Sequence, residues 1–593
     1  MKKLNIALAS LLALGVVSGC EDRLDVVNDN QQTSTTFGNT ADELQEAVIA
    51  AYNHTRMEGT YARVGYVLDA MRGDEVWNCG QVWYLPYDDL NVAPTDEIGC
   101  LWPWRDWYYT INVTNFILKK CDNQGELNEN FKRIKGQALF LRGLSYYNLA
   151  MYYQNPALIT DYDTYGTLDG LYCSNGEEGI AGAEAQQDLV LDQVEKDFKE
   201  AMELLPSRDE SGEWAGGRAT CGAAAGFYSR TLMFRHKYSE ALTVLEDIIN
   251  GKYGSYKLMD NYGDNFREGI AYENNAESLY EVQYLDYGQQ GVDDEWTPLN
   301  TSANATQGHA VESNYGPSIY GGWGDVAVSP WLYNLFKAET STKGNGLDPR
   351  LYWTCGTYEP QWEGFEMGNV LYTNTITAND NIYTNATYGG IPIIKNTNAR
   401  EGLYEKIVQG LHCGVNLRLM RYSDVLLRAA ECENEVNGPT AKAIGWIDQV
   451  RSRAGLKGLA EANPDALKSK DDLFEQIANV ERPKEFGGEW GRGADLIRWG
   501  FFYDAERRAQ MIDHASFCGD PTNKDGQFGK RTRNDGVTTK SSYDNYELGH
   551  EYFPIAQSTL NANPNLVGNS ANTTGANPNT VKYEIHPIPA WNK

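Results

Sequence analysis

The chain has 593 residues, with 51 Lys and Arg against 81 Asp and Glu, which gives a formal net charge of −30. Hydrophobic residues make up 41% and aromatic residues 12%, a composition typical of a large folded protein and not of a disordered or polytopic membrane chain. Because so acidic a surface repels phosphate groups, the composition argues against nucleic-acid binding.

The N-terminus is typical of an export signal. Lys2 and Lys3 precede an apolar run from Leu4 to Val17, which is too short to cross a bilayer comfortably. Ser18 and Gly19 then lead into Cys20, a pattern that resembles a bacterial lipoprotein signal. We therefore expect residues 1–19 to be removed, Cys20 to be lipidated and residues 20–36 to tether the folded part to a membrane. The alternative is an ordinary secretory signal.

Two blocks of the chain have apolar residues at the three- and four-residue spacing of amphipathic helices. In the first block, residues 226–251 predict a helix pair with a turn at His236–Lys237, in which small residues such as Gly226 let the two helices approach closely. In the second block, Gly438 and Pro439 separate another pair. We predict one helical repeat scaffold, at about 37–72, 104–251 and 417–510.

The remaining segments, 73–103, 252–416 and 511–593, are rich in Gly, Asn, Tyr, Thr, Asp and Trp, and we predict loops with a few strands. Long insertions on a rigid scaffold usually carry function. An exposed aromatic ring fits the C–H face of a sugar, and polar side chains fit its hydroxyl rim. Two aromatic clusters have this mixture, and they supply our candidate glycan-binding residues: Trp77, Asn78, Trp83, Tyr84 and Trp102 in the first, and Trp296, Tyr315, Tyr320 and Trp323 in the second. For each Trp the alternative is packing beneath a loop.

Sequence motifs for catalysis, metals and cofactors are absent. The seven His do not form H-E-x-x-H, and there is no G-x-S-x-G, Walker loop or dinucleotide-binding Gly pattern. The stretch Asp161–Gly166 resembles the start of a calcium loop, but Tyr165 occupies a ligand position. We predict no catalytic residue, metal or cofactor, although a carboxylate pair is not identifiable from sequence. Cys79 and Cys100 are either a disulfide pair or separate buried thiols.

Four segments in order resemble the SusD/RagB family of surface lipoproteins. They are Trp104-x3-Tyr108-x2-Ile111-x3-Asn115, which we expect to open a helix, residues 136–158, the pair LRLMRYSDVLLRAAECENEVNG and IDQVRSRAGL, and residues 481–500. The closing EYFPIAQSTLNANPNL is also similar, whereas Pro156-Ala157 stands where the family has Pro-Leu.

This resemblance implies a mainly α, tetratricopeptide-like scaffold with a loop-rich, partly β ligand-binding face, formed by a single domain over residues 37–593. It also implies a binding protein and not an enzyme, lipid-anchored in the outer membrane and exposed at the cell surface. Its expected partners are a SusC-like TonB-dependent transporter and a glycan, which the acidic charge suggests is neutral. The alternatives are peptide binding, a structural lid for the transporter, and a surface glycoside hydrolase.

Overall fold

The computed structural model describes residues 36–78, 82–165, 182–209, 216–285, 307–317, 321–357, 359–362, 364–367, 370–372, 391–399, 413–515, 546–563 and 566. The predicted signal peptide and lipidated Cys20, and the candidate residues Trp296 and Tyr320, lie outside the described residues.

Helices dominate the described N-terminal half. They are α1 Ala41–His54, α2 Val64–Met71, α3 Leu85–Asp88, α4 Glu97–Asp122, α5 Glu129–Tyr153, α6 Tyr162–Tyr165, α7 Gly182–Leu204, α8 Cys221–Phe234 and α9 Tyr238–Ile249. Polar caps mark several starts, because a side-chain oxygen satisfies the free N–H groups of the first turn. The side chain of Thr40 accepts from Glu43 N before α1, and that of Thr220 accepts from Ala223 N before α8.

The C-terminal half contains shorter helices and the second scaffold block. The helices are α10 Val311–Tyr315, α11 Pro330–Lys337, α12 Pro349–Thr354, α13 Tyr422–Asn437, α14 Ala441–Arg453, α15 Leu459–Ala462, α16 Lys470–Gln476, α17 Arg482–Phe486, α18 Arg492–Arg498, α19 Ala505–His514 and α20 Gln557–Ala562. Among the described residues, no helix combines the length and hydropathy needed to cross a membrane.

The two helical blocks form one continuous scaffold. In this scaffold each helix packs against the next in the series α1, α4, α5, α7, α8, α9, α13 and α14. Helix α9 therefore packs against α13, although the long insertion separates them in sequence. His236 and Lys237 separate α8 from α9, and Gly438, at φ 82°, follows α13 as predicted. The mainly α, tetratricopeptide-like prediction is confirmed.

Short strands make up the β part. The strands are β1 Val76–Asn78, β2 Ser278–Val282, β3 Val326–Val328, β4 Phe365–Met367, β5 Val370–Tyr372, β6 Ile391–Pro392 and β7 Leu417–Arg421. The antiparallel sheets have the orders β1-β3-β6, β2-β7 and β4-β5. Strand β7 runs directly into α13 and therefore joins the loop-rich part to the scaffold.

Two local predictions were wrong. Helix α4 begins at Glu97 and not at the Trp104 motif, because Asp96 caps it by accepting from Ile98 N at 3.2 Å, and Pro103 is accommodated inside it. Gly226 makes room for a strand and not for a partner helix, since an added Cβ would meet Met420 Sδ of β7 at 2.4 Å.

Candidate functional site

The pairing of β1 with β3 relates one tryptophan of each predicted aromatic cluster, Trp83 and Trp323. Asn78, the last residue of β1, lies opposite Val326, the first residue of β3. Because the strands are antiparallel, residues that follow β1 lie at the same end as residues that precede β3. Trp83 follows β1 and Trp323 precedes β3, so the segments that contain these two residues adjoin the same end of the strand pair. We call this region the two-loop site and define it as Arg63, Trp83, Tyr84, Asn314, Trp323 and Asp325.

Trp323 is the more exposed ring of the site, with 36% of its surface accessible to solvent. Its backbone N donates to Ser313 O at 2.6 Å, and Asp325 N donates to Asn314 O at 2.9 Å. Gly321 and Gly324 have φ of 87° and 61°, a region that only Gly adopts readily. The turn therefore holds the exposed indole in a defined place.

Trp83 is half-buried and is supported from one side. Its ring centroid lies 3.7 Å from that of Tyr84, with 32° between the ring planes. The guanidinium carbon of Arg63 lies 5.7 Å from the same indole, and Arg63 forms an ion pair with Glu58. These contacts restrict rotation of the ring and so reduce the entropy that a ligand contact would cost.

Buried polar groups lie next to the two rings. Asn314 Nδ2 donates to Asp325 Oδ2 at 2.8 Å. Burial raises the pKa of Asp325 to about 7, against the opposing effects of the Asn314 hydrogen bond and the Arg63 charge. Burial also raises the pKa of the Tyr84 phenol well above its ordinary value, so it stays protonated. The site thus combines one exposed and one half-buried indole with amide, hydroxyl and carboxyl groups, a combination that suits a sugar ring.

The other described candidates lie in the core. Trp77 and Asn78 are fully buried in β1, Tyr84 is buried behind Trp83, and Trp102 is buried on α4. Tyr315 is buried with its ring centroid 6.3 Å from that of Tyr66. These side chains support the surface in this structure, and their role as ligand contacts stays a prediction.

Sequence reasoning missed Arg63, Asn314 and Asp325. Arg63 follows a π-helical turn, Glu58–Ala62, far from both aromatic clusters in sequence. Asn314 and Asp325 are close to Tyr315 and Trp323, and that proximity was the only available signal.

The described ranges also contain the potential metal ligands and one of the cysteines considered above. They contain no group of three or more His, Cys, Asp or Glu side chains placed to hold a metal ion. Asp163, from the calcium-like stretch, forms an ion pair with Lys119. Cys100 is a buried thiol whose Sγ lies 3.8 Å from Tyr87 Oη, and its suggested partner Cys79 lies outside those ranges.

Comparison with known proteins gives consistent matches along the chain. A family profile described as "SusD family" matches residues 276–571, and one described as "Starch-binding associating with outer membrane" matches residues 22–233. SusD-like protein P25 of Formosa agariphila is 24% identical over 539 residues, which is 85% of this chain and 91% of P25. SusD-like protein P2 of the same organism is 23% identical over 513 residues, 84% of this chain and 91% of P2.

Solved structures show the same fold. A SusD homolog from Bacteroides thetaiotaomicron aligns with a TM-score of 0.69 and 18% identity over 92% of this chain and 99% of its own. Surface glycan-binding protein A from the same species, solved with laminarihexaose, aligns with a TM-score of 0.59 and 21% identity over 89% of this chain and 99% of its own.

Proposed function

Because the chain belongs to the SusD/RagB family, we propose that it is a glycan-binding protein of the cell surface that captures oligo- or polysaccharide at the two-loop site. The observation that carries this proposal is that the segments containing Trp83 and Trp323 adjoin the same end of the β1–β3 pair. Indole rings held in place gain apolar contact with sugar C–H groups at little entropic cost. The laminarihexaose complex of a protein with this fold supports an oligosaccharide ligand.

A neutral glycan fits the charges of the site best. The charge of Arg63 is offset by its ion pair with Glu58. Asp325 adds negative charge when it ionises, and the chain as a whole carries −30. A polyanionic glycan would therefore meet repulsion at the site and across the surface.

We place the protein at the outer membrane, anchored through a lipid on Cys20 and exposed at the cell surface. Its partner in this proposal is a SusC-like TonB-dependent transporter that receives the glycan, with the rigid helical scaffold as the contact surface. The description of the profile over residues 22–233 supports the membrane location. We propose binding without catalysis.

The test is retardation of the soluble chain, starting after Cys20, in gels that contain neutral or acidic polysaccharides. We expect retardation by a neutral polysaccharide, and its loss in Trp83→Ala and in Trp323→Ala. Tyr109→Ala is the matched control, because Tyr109 is 38% exposed but lies on the scaffold helix α4.

Other outcomes would replace the proposal. Retention of peptides alone would indicate a peptide-binding protein. Failure to retain any ligand, with a transporter still co-purifying, would indicate a structural lid. Release of reducing ends, abolished by one Asp or Glu substitution, would indicate a glycoside hydrolase.

A further inference from the structure

A small, partly enclosed cavity lies where β7, α8, α17 and α18 meet. About 20 Å³ of it is accessible to the centre of a water molecule, which is room for one water or one monatomic ion. Five guanidinium groups and four carboxylates line the cavity, together with the ring of Trp490. The lining is therefore highly charged and slightly richer in cations.

Beside the cavity, arginines outnumber the carboxylates with which they form ion pairs. Asp424 binds three guanidinium groups: Arg230 Nη2 at 2.8 Å, Arg428 Nε at 2.9 Å and Arg482 Nη1 at 2.9 Å. Asp495 also binds three, with Arg482 Nη2 at 2.7 Å, Arg428 Nη1 at 3.3 Å and Arg498 Nε at 2.7 Å.

The charges of this cluster do not cancel. Glu431 pairs with Arg498 and is the third carboxylate of the cluster. Within the described part of the chain, four arginines thus meet three carboxylates and leave an excess of one positive charge. A buried uncompensated charge is costly, so a counter-ion at this point would stabilise the fold.

Arg230 has two nitrogen donors for which the described residues supply no hydrogen-bond acceptor. Its residue is 4% exposed, and its guanidinium carbon lies 4.9 Å from the Trp490 ring centroid and 5.2 Å from that of Phe227. Nη2 donates to Asp424 and, at 3.0 Å, to Leu419 O, whereas the buried Nε and Nη1 have no hydrogen-bond acceptor among the described residues. Arg230 lines the cavity, so an acceptor there would satisfy both nitrogens.

Two other carboxyl groups that line the cavity, Glu489 and Glu75, repel an anion only weakly. Glu489 is bound by Arg421, through Nη2 at 2.9 Å, and by Lys395 Nζ at 2.9 Å. Burial raises the pKa of Glu75 to about 7, despite the charge of Arg492, so its neutral form is available. Repulsion from these two groups is therefore reduced.

We propose that this cavity is a binding site for one small inorganic anion, with chloride as the physiological candidate and Arg230 Nε and Nη1 as its principal donors. The anion neutralises the excess charge of the Arg230, Arg428, Arg482 and Arg498 cluster. It thereby links β7 and α8 of the scaffold to the segment that contains α17 and α18. The site is separate from the two-loop site and does not depend on glycan binding.

The test compares unfolding midpoints of the purified protein in sodium chloride and in sodium gluconate at matched ionic strength. We expect the midpoint to rise with the logarithm of chloride concentration at constant ionic strength, as for a ligand that binds the native state only. Arg230→Met should lose this dependence, whereas Arg235→Met should keep it, because Arg235 pairs with Asp188, Asp192 and Glu195 away from the cavity.

Crystals of the wild-type protein soaked in bromide test whether an anion occupies the cavity, even if the Arg230→Met variant does not fold. An anomalous peak within hydrogen-bonding distance of Arg230 Nε or Nη1 would support the site. A water molecule in the cavity, or bromide at the surface only, would overturn the proposal, as would a midpoint that does not depend on chloride.

Discussion

At the scale of single residues, burial decides what each side chain of the two-loop site does. Trp323 exposes 36% of its surface, whereas Asp325, two residues later, is 1% exposed and accepts from Asn314. The indole is therefore available to a ligand, and the carboxyl group is part of the support beneath it. A buried carboxyl group with one amide donor is poorly stabilised as an anion, which is why its pKa rises to about 7.

Asp325→Asn should make the protein less sensitive to pH. The native pKa of about 7 lies above the ordinary value of 3.8, so the native state binds more protons between these pH values. The contribution of Asp325 to stability is thus present below pH 4 and is lost as pH rises through 7. We expect the Asp325→Asn variant to gain on the order of 4 kcal/mol of unfolding free energy relative to wild type between pH 4 and pH 8, measured by urea unfolding.

The control for this measurement is Glu126→Gln, which changes an exposed carboxylate in the loop between α4 and α5. Its unfolding free energy should follow the wild-type pH dependence. An Asp325→Asn curve parallel to that of wild type would show that Asp325 is ionised throughout this pH range.

At the scale of elements, the sequence predicts the helices better than the strands. Helix pairs such as α8–α9 and α13–α14 have local signals, namely apolar periodicity and a short polar turn or a Gly-Pro break. Strands β1 and β3 have three residues each and are separated by the first helical block and the first part of the insertion, so nothing local predicts that they pair. The two aromatic clusters were therefore predicted from composition, but the strand pairing that relates Trp83 to Trp323 was not.

The helix-to-sheet contact at Gly226 gives a prediction with a matched control. Gly226→Ala should destabilise the protein by about 1–3 kcal/mol, because the added methyl overlaps Met420 of β7 and lies 3.2 Å from Leu279 Cδ2 of β2. Gly445→Ala on α14 meets no atom within 4 Å and should stabilise by about 0.5–1 kcal/mol through helix propensity. Equal effects of the two substitutions in urea unfolding would contradict this account of Gly226.

At the scale of the whole molecule, buried ion pairs connect the loop-rich part to the scaffold. Arg421 at the end of β7 bonds Glu277, just before β2, and Glu485 of α17. Glu485 also pairs with Arg350 of α12 at 3.2 Å and with Arg453 of α14. Sequence periodicity contains no signal for such contacts, since each joins segments distant in the chain.

Glu485→Gln should therefore be strongly destabilising. It leaves the charges of three buried arginines short of a partner, and we expect a loss of about 3–5 kcal/mol in urea unfolding. Glu461→Gln, which breaks the exposed pair with Lys457, should leave the unfolding free energy nearly unchanged. A loss below about 1 kcal/mol for Glu485→Gln would show that this network does not hold the parts together.

The Glu485 carboxylate should also contribute to acid sensitivity. Although burial opposes it, the charges of Arg453, Arg421 and Arg350 hold the pKa of Glu485 well below its ordinary value. Its contribution to stability is thus present above pH 4.5 and is lost as pH falls. The Glu485→Gln variant should accordingly show a weaker loss of stability on acidification than wild type.

Trp83 and Trp323 should contact the same glycan, and a double-mutant cycle on binding free energy tests this shared contact. Calorimetry would compare wild type, Trp83→Ala, Trp323→Ala and the double variant on the polysaccharide retained in the gels. Each single change should cost about 1–3 kcal/mol, and the double change should cost at least about 0.5 kcal/mol less than their sum, on the order expected when two groups share a partner. Unchanged affinity in either single variant, or losses that add within about 0.3 kcal/mol, would contradict a single two-loop site.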